Sequence, residues 1–312
     1  MANSSNFTGH YFNFKGMMVG NGATNWHVDA GQEAFIDTLW GFNMIPTDLH
    51  TQWKAQGCQN YFGDVLPANM PGSCNAIMTK VQGLAANLDI YDLYRESNDV
   101  ALKGKDREMG EALVGGVKKT YKKSATYREY VPWMVDILGE DHPALEKKMF
   151  GDFVSDWMNN NVTRADLNIP ETVHAWEMCS DCAAVGAGTY LLQKEGSYWI
   201  YPILAANGIR ILHYSGDTDG AVPTIGTKRW ISLLNSPVKT GGGWRAWFSD
   251  FQVGGFVINH EVLDFATVRG VGHMAPQWAP AAVQKMVTDW VWQTGDMVPV
   301  PPTPPTPPSF IN

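Results

Sequence analysis

The sequence predicts an α/β protein built around a mostly parallel sheet, and three observations predict it. Two β-branched apolar runs, residues 209–214 and 263–268, each break into glycine, the pattern of buried strands that end in loops. An acidic turn, Asp217-Thr218-Asp219-Gly220, follows the first run, and Gly270-Val271-Gly272-His273-Met274 follows the second. In an open α/β sheet, chemistry gathers at such strand ends. Residues near 26–180 are richer in helical patterning and loops, and a further helix is expected near 225–234.

Taken in order, residues 1–25 read as a polar lead and a first core strand, Met17-Met18-Val19, ending in Gly20-Asn21-Gly22. Residues 26–180 read as a mainly helical cap or insertion region with aromatic anchors at Trp26, Trp40, Tyr91, Trp133 and Trp157. Within it, residues 103–128 hold eight basic residues against three acidic ones, which predicts a solvated basic helix and loop, or alternatively a protease-sensitive linker. Residues 181–296 read as the sheet portion that carries the acid and the histidine. There Pro223 closes the acidic turn before a helix near 225–234, and Gly241-Gly242-Gly243 with Trp244 and Trp247 marks a turn into a hairpin. Pro280 opens a last amphipathic helix to about Trp292, proline being favoured in a first turn. Residues 297–312 are proline-rich and predict an extended spacer outside the core, or a ligand for a proline-recognising groove.

Composition bounds the function. The 312 residues are 45% hydrophobic and 17% charged, which supports an ordered body with a sizeable core. A net charge of −8 opposes binding to nucleic acid or to an anionic membrane surface. No apolar run approaches the roughly 18 residues of a membrane span, and the first residues lack the basic and apolar regions of a secretory signal.

Asp219 and His273 have the order of the back half of a Ser…Asp…His triad. A serine hydroxyl is a weak nucleophile until an imidazole accepts its proton, and a carboxylate holds that imidazole in the useful tautomer and stabilises its cation. The front half would be a Gly-x-Ser-x-Gly elbow, and none occurs in these residues. Gly196-Ser197-Tyr198 and Gly72-Ser73-Cys74 have the wrong spacing and read as turns.

Six segments in collinear order resemble the serine carboxypeptidase family, from about Phe14 to Trp292. They are Phe14-Lys15-Gly16 through Gly20-Asn21-Gly22, Leu88-Asp89-Ile90-Tyr91-Asp92, Trp176-Glu177-Met178-Cys179-Ser180-Asp181, the two loops with Asp219 and His273, and Val253-Gly254-Gly255-Phe256 before the histidine strand. The resemblance implies a partial α/β-hydrolase fold, the last core strands of its sheet with a helical cap. It assigns Asp219 and His273 as catalytic acid and base, Met274 to the pocket for the departing C-terminal residue, and Asp217 to a structural bond. It implies no cofactor and no metal. The family's nucleophile and oxyanion-hole segments would lie upstream of Phe14, so the chain is expected to be the C-terminal portion and inactive by itself. A peptide substrate is expected once a serine-bearing segment or chain completes the site.

Cys58 and Cys74 bracket a Pro- and Gly-containing loop where the family carries a disulfide-rich insertion, and the resemblance favours a bridge there in oxidising surroundings. Cys179 and Cys182 are left either free or paired, since a lone CxxC is weak evidence for zinc or redox chemistry. Sequons at Asn3, Asn6 and Asn161 are glycosylation candidates. The family's secreted, vacuolar or lysosomal setting is the expected compartment. Two other readings stand beside the peptidase: a non-catalytic binding or scaffold relative, and an acyltransferase of the same fold. With only the last three core strands, the Met17–Val19 edge is expected to need a partner or to leave the chain marginally stable.

Overall fold

The apolar runs form the middle of a sheet. The computed structural model describes residues 13–26, 28–29, 31–60, 71–95, 109–114, 117–122, 157–173, 175–176 and 196–300. In chain order the strands are β1 (Gly16–Gly20), β2 (Met109–Val114), β3 (Val117–Lys122), β4 (Arg210–Gly216), β5 (Arg245–Ser249), β6 (Gln252–Asn259) and β7 (Asp264–Val268). The helices are α1 (Gln32–Gly41), α2 (Thr47–Ala55), α3 (Gly72–Ala85), α4 (Asn161–Asp166), α5 (Ile200–Ala206), α6 (Thr224–Leu233), α7 (Ala275–Trp278) and α8 (Pro280–Trp292).

The chain divides into two compact units, Met1–Ala86 with Ile90–Tyr94 and Gln193–Asn312, and Asn87–Asp89 with Arg95–Leu192. In the first unit the sheet order is β1-β4-β7-β6-β5. The pairs β1–β4 and β4–β7 are parallel, while β7–β6 and β6–β5 are antiparallel. The expectation of three core strands is therefore short by two: the hairpin after Gly241–Gly243 joins the same sheet. It can do so because Gly255 has no side chain. A Cβ there would collide with the Thr267 carbonyl of the neighbouring strand, so glycine permits the close pairing.

Burial follows topology. All of β7 is buried and most of β4 is, whereas β1 is only half-buried and Met18 is 45% exposed. Central parallel strands are covered on both faces and so read as continuous apolar runs. Tyr201, Ile211, Trp230, Ile231, Leu263 and Phe265 form one core cluster, joining α5 and α6 to one face of β4 and β7. The start of β7 is fixed by a polar knot. Asp264 accepts hydrogen bonds from Asn259 Nδ2 (2.8 Å), Trp290 Nε1 (2.8 Å) and Lys239 Nζ (3.2 Å). Arg210 stacks 4.1 Å over the Trp290 ring and donates to the Trp290 and Val291 carbonyls, satisfying the carbonyls that the last turn of α8 leaves open.

Cys58 and Cys74 are joined by a disulfide with a Cα–Cα distance of 5.6 Å across a separation of 16 residues. Closing a loop of that size restricts the unfolded chain by about 3 kcal/mol. Nearby, Asp37 on α1 accepts from His50 (2.7 Å) and from Lys54 and Arg229, tying α1 to α2 and α6.

Two expectations are corrected. Trp40, Tyr91 and Trp157 are not core anchors, being 41%, 41% and 59% exposed; Trp40 instead stacks on His50 at 4.3 Å. Among the described residues the buried tryptophans are Trp53, Trp230, Trp247, Trp278 and Trp290. The basic stretch contains no described helix: in the second unit β2 and β3 pair as an antiparallel hairpin. Asn161 is exposed at the start of α4, whose N-cap Asn160 accepts from the Val162 N–H at 2.9 Å. Asn3, Asn6, Trp133, Cys179, Cys182 and residues 301–312 lie outside the described residues.

Candidate active site

Parallel pairing brings the C-terminal ends of β1, β4 and β7 side by side, and each ends in a loop that contributes one polar side chain. Asn21 follows β1, Asp219 follows β4 and His273 follows β7. Asp219 is fully buried. Its Oδ2 accepts from His273 Nδ1 and from Asn21 Nδ2, both at 2.8 Å. Its Oδ1 accepts from the backbone N–H groups of Ala221 (2.7 Å) and Val222 (3.0 Å). Four donors thus meet the four lone-pair sites that a carboxylate offers.

His273 is about one-third exposed. With Nδ1–H donating to a carboxylate, the lone pair sits on Nε2, the nitrogen left to accept a proton from another group. The Asp219 hydrogen bond raises the His273 pKa above its ordinary value; partial burial opposes this, and the Asp219 charge adds to it. The arrangement holds an imidazole in one tautomer and stabilises its cation.

The loops are fixed to each other as well as to their strands. Asp217 accepts from the Gly270 N–H at 2.7 Å, so its bond crosses from the acid loop to the histidine loop. Burial raises the Asp217 pKa, with the Gly270 amide and the Arg269 charge pulling the other way. Residues 90–94 pack against both loops. The Tyr91 carbonyl accepts from His273 N–H (2.7 Å), the Ile90 carbonyl from Gly220 N–H (2.9 Å), and Asp92 Oδ1 from Thr218 Oγ1 (2.7 Å). The Tyr91 ring lies 5.4 Å from the imidazole. Met274 is half-buried and caps α7 immediately after the histidine.

The structure therefore brings together Asp219 and His273 and places Met274 next in the chain. Asn21, Asp92 and the Tyr91 carbonyl were not assigned roles from the sequence. Asn21 had a signal: an asparagine between two glycines, at φ 47°, is a residue held in the left-handed region where asparagine is enriched. Among the described residues, no group of three or more His, Cys, Asp or Glu is placed to hold a metal ion.

Known proteins resemble this chain in sequence and in fold. A protein from Arabidopsis thaliana described as serine carboxypeptidase 24 is 30% identical over 88% of this chain and 53% of its own length. Serine carboxypeptidase 1 of Hordeum vulgare is 24% identical over 89% of this chain and 56% of its own. The chain thus spans about half the length of the curated relatives it matches. A solved structure of a prohormone-processing carboxypeptidase from Saccharomyces cerevisiae superposes with a TM-score of 0.56 at 15% identity, covering 93% of this chain and 56% of the other. That likeness establishes the fold, which is the α/β-hydrolase fold. The serine carboxypeptidase family model matches residues 1–293, nearly the whole chain from the lead segment to the last helix, and on that match the chain belongs to the serine carboxypeptidase family.

Proposed function

We propose that this chain carries the acid and base of a serine-type carboxypeptidase that releases C-terminal residues from peptides through an acyl-enzyme. The observation that carries the reading is the 2.8 Å bond between His273 Nδ1 and a buried Asp219 carboxylate. A serine Oγ attacks the scissile carbonyl while His273 Nε2 takes its proton. The Asp219 carboxylate stabilises the imidazolium, and the same proton then passes to the departing amine as the C–N bond breaks. Water deacylates the serine by the reverse proton path. Met274 lines the pocket for the departing residue.

The 312 residues contain no Gly-x-Ser-x-Gly segment, so the serine and oxyanion donors come from sequence outside them. By itself the polypeptide hydrolyses no peptide. Loss of a triad serine costs on the order of 10⁶ in turnover, and loss of one oxyanion donor costs on the order of 10²–10³. The Cys58–Cys74 bridge supports folding in an oxidising, secretory compartment. No helix among the described residues is long and apolar enough to cross a membrane.

A serine-directed fluorophosphonate tests the reading on two samples, the 312-residue chain and the native-source enzyme. The expected result is no label on the former. In the native-source material, label and C-terminal residue release are expected together, and both are lost in His273→Ala. Label on the 312 residues, or full activity in His273→Ala, would overturn the proposal.

A further inference from the structure

We propose that Asn21 is a positioning residue that sets the proton affinity of His273 by acting on Asp219. The inference rests on the reading of Asp219 and His273 as the acid and base, and it deepens that reading.

Asn21 is 2% exposed, and its backbone N–H and both polar atoms of its side chain are engaged. Its backbone N–H donates to the Tyr214 carbonyl at 2.9 Å. Its Oδ1 accepts from the Gly216 N–H at 3.2 Å, and this fixes which end of the amide faces the acid. Nδ2 is thereby aimed at Asp219 Oδ2 (2.8 Å), the same oxygen that His273 Nδ1 reaches at the same distance. The φ of 47° at Asn21 holds this orientation, so β1 delivers a neutral donor to the oxygen that carries the dyad's charge.

A neutral N–H on a carboxylate oxygen draws off part of its negative charge, and its positive end lies close to the imidazole. Both effects work against protonation of His273. Asp219 raises the histidine's proton affinity, and Asn21 restrains that rise so that the ring is available as a base at a lower pH. The carboxylate does not depend on Asn21 for its orientation, because Ala221 and Val222 N–H still hold Oδ1. Removing the amide therefore changes the field more than the geometry, and the expected direction is upward.

The other groups around the pair are engaged elsewhere. Asp217 accepts from Gly270 N–H, Asp92 from Thr218 Oγ1, and Arg269 donates to the Val253 carbonyl. The Tyr91 ring borders the imidazole, and His213, close to Gly22, is buried and neutral with its pKa near 3.

Two substitutions isolate the effect. Asn21→Gly keeps the left-handed backbone without strain and deletes only the amide. Asn21→Ala also deletes the amide and keeps a Cβ. The readout is the His273 titration midpoint from the histidine ring ¹³C–¹H signals of the 312-residue chain, assigned with His273→Gln. The midpoint is expected to rise by about half a unit or more in both variants. A role confined to stability would lower the melting temperature and leave the midpoint where it is, and that result, or a fall, would overturn the proposal. Should Asn21→Gly not fold, Asn21→Ala decides alone: an unchanged or lowered midpoint overturns it. The midpoints are read on this chain whether or not any serine is present. Failure of the hydrolase reading therefore shows in the His273→Ala activity test and leaves the midpoint order intact.

Discussion

The carbonyl oxygen of Gly272 stands where a Cβ on Gly216 would be, and a Cβ on Gly272 would in turn strike the Tyr91 carbonyl. The acid strand, the histidine loop and residues 90–94 are thus stacked at backbone contact, with two glycines as the points of passage. The colliding atoms are backbone apart from the Cβ of Asp92, which no rotamer moves, so neither clash can be relieved by turning a side chain. Gly216→Ala and Gly272→Ala are each expected to destabilise the protein by about 2 kcal/mol or more. Both should also return the His273 midpoint toward 6.5 as the bond to Asp219 stretches. Gly243→Ala, which meets nothing within 4 Å, is the matched control and should leave both unchanged. Melting curves and the histidine signals of the three variants check this.

Asp219→Asn separates the two influences on the histidine. The Asp219 hydrogen bond raises its pKa and burial lowers it, so with the charge removed only burial remains and the midpoint should fall below 6.5. The linkage sign follows. In the parent chain the folded pKa is raised, so the His273 contribution to stability is complete below the unfolded value of about 6.5. It is lost as pH rises through the folded pKa. In Asp219→Asn that alkaline loss disappears. In an enzyme that supplies the serine, the expected fall in kcat is on the order of 10⁴, from the misdirected tautomer.

His213 has the opposite sign. It sits fully buried on β4 between Tyr201, Trp230 and Phe265, with Nδ1 3.1 Å from the Tyr201 hydroxyl and Nε2 without a partner. Burial pushes its pKa down to about 3. The unfolded chain binds a proton near pH 6.5 that the folded chain refuses until about pH 3, so stability falls as pH drops through that window. This group alone should remove about 2 kcal/mol between pH 7 and pH 5. His213→Phe should flatten the acid side of the stability curve, even if it lowers stability at pH 7. Denaturant melts at pH 5, 6 and 7 distinguish the two slopes.

What could be read in the sequence was what repeats locally. The β4 and β7 runs are buried on both faces and so are apolar throughout, while Pro223 and Pro280 mark helix starts that the structure has. The acid and the histidine were readable because each follows such a run. The role of Asn21 was not, because its partner Asp219 is 198 residues away; the two flanking glycines mark a left-handed turn and do not say what the amide reaches. The Thr218–Asp92 bond spans 126 residues and was hidden for the same reason. Aromatic content misled: Trp40 is large and apolar, but its exposed place on α1 is decided by which helix face packs against α2 and α6. The lysine-rich stretch read as helical on charge alone, and strand pairing of β2 with β3 overrode that weak preference.

The edge strand bears on how the chain behaves in solution. Among the described residues β1 pairs only with β4, so its other side presents a row of backbone donors and acceptors. Met18 on that strand is 45% exposed, and β1 carries no charge or proline. Edges of this kind recruit a further strand, from a partner or from a second copy. The 312-residue chain is therefore expected to associate as its concentration rises, by light scattering after size exclusion. Met18→Lys, which sets a charge on the edge and leaves the β1–β4 ladder intact, should shift the distribution toward monomer. A parent chain that stays monomeric at high concentration, or an unchanged distribution in Met18→Lys, would show that β1 is not the surface through which copies meet.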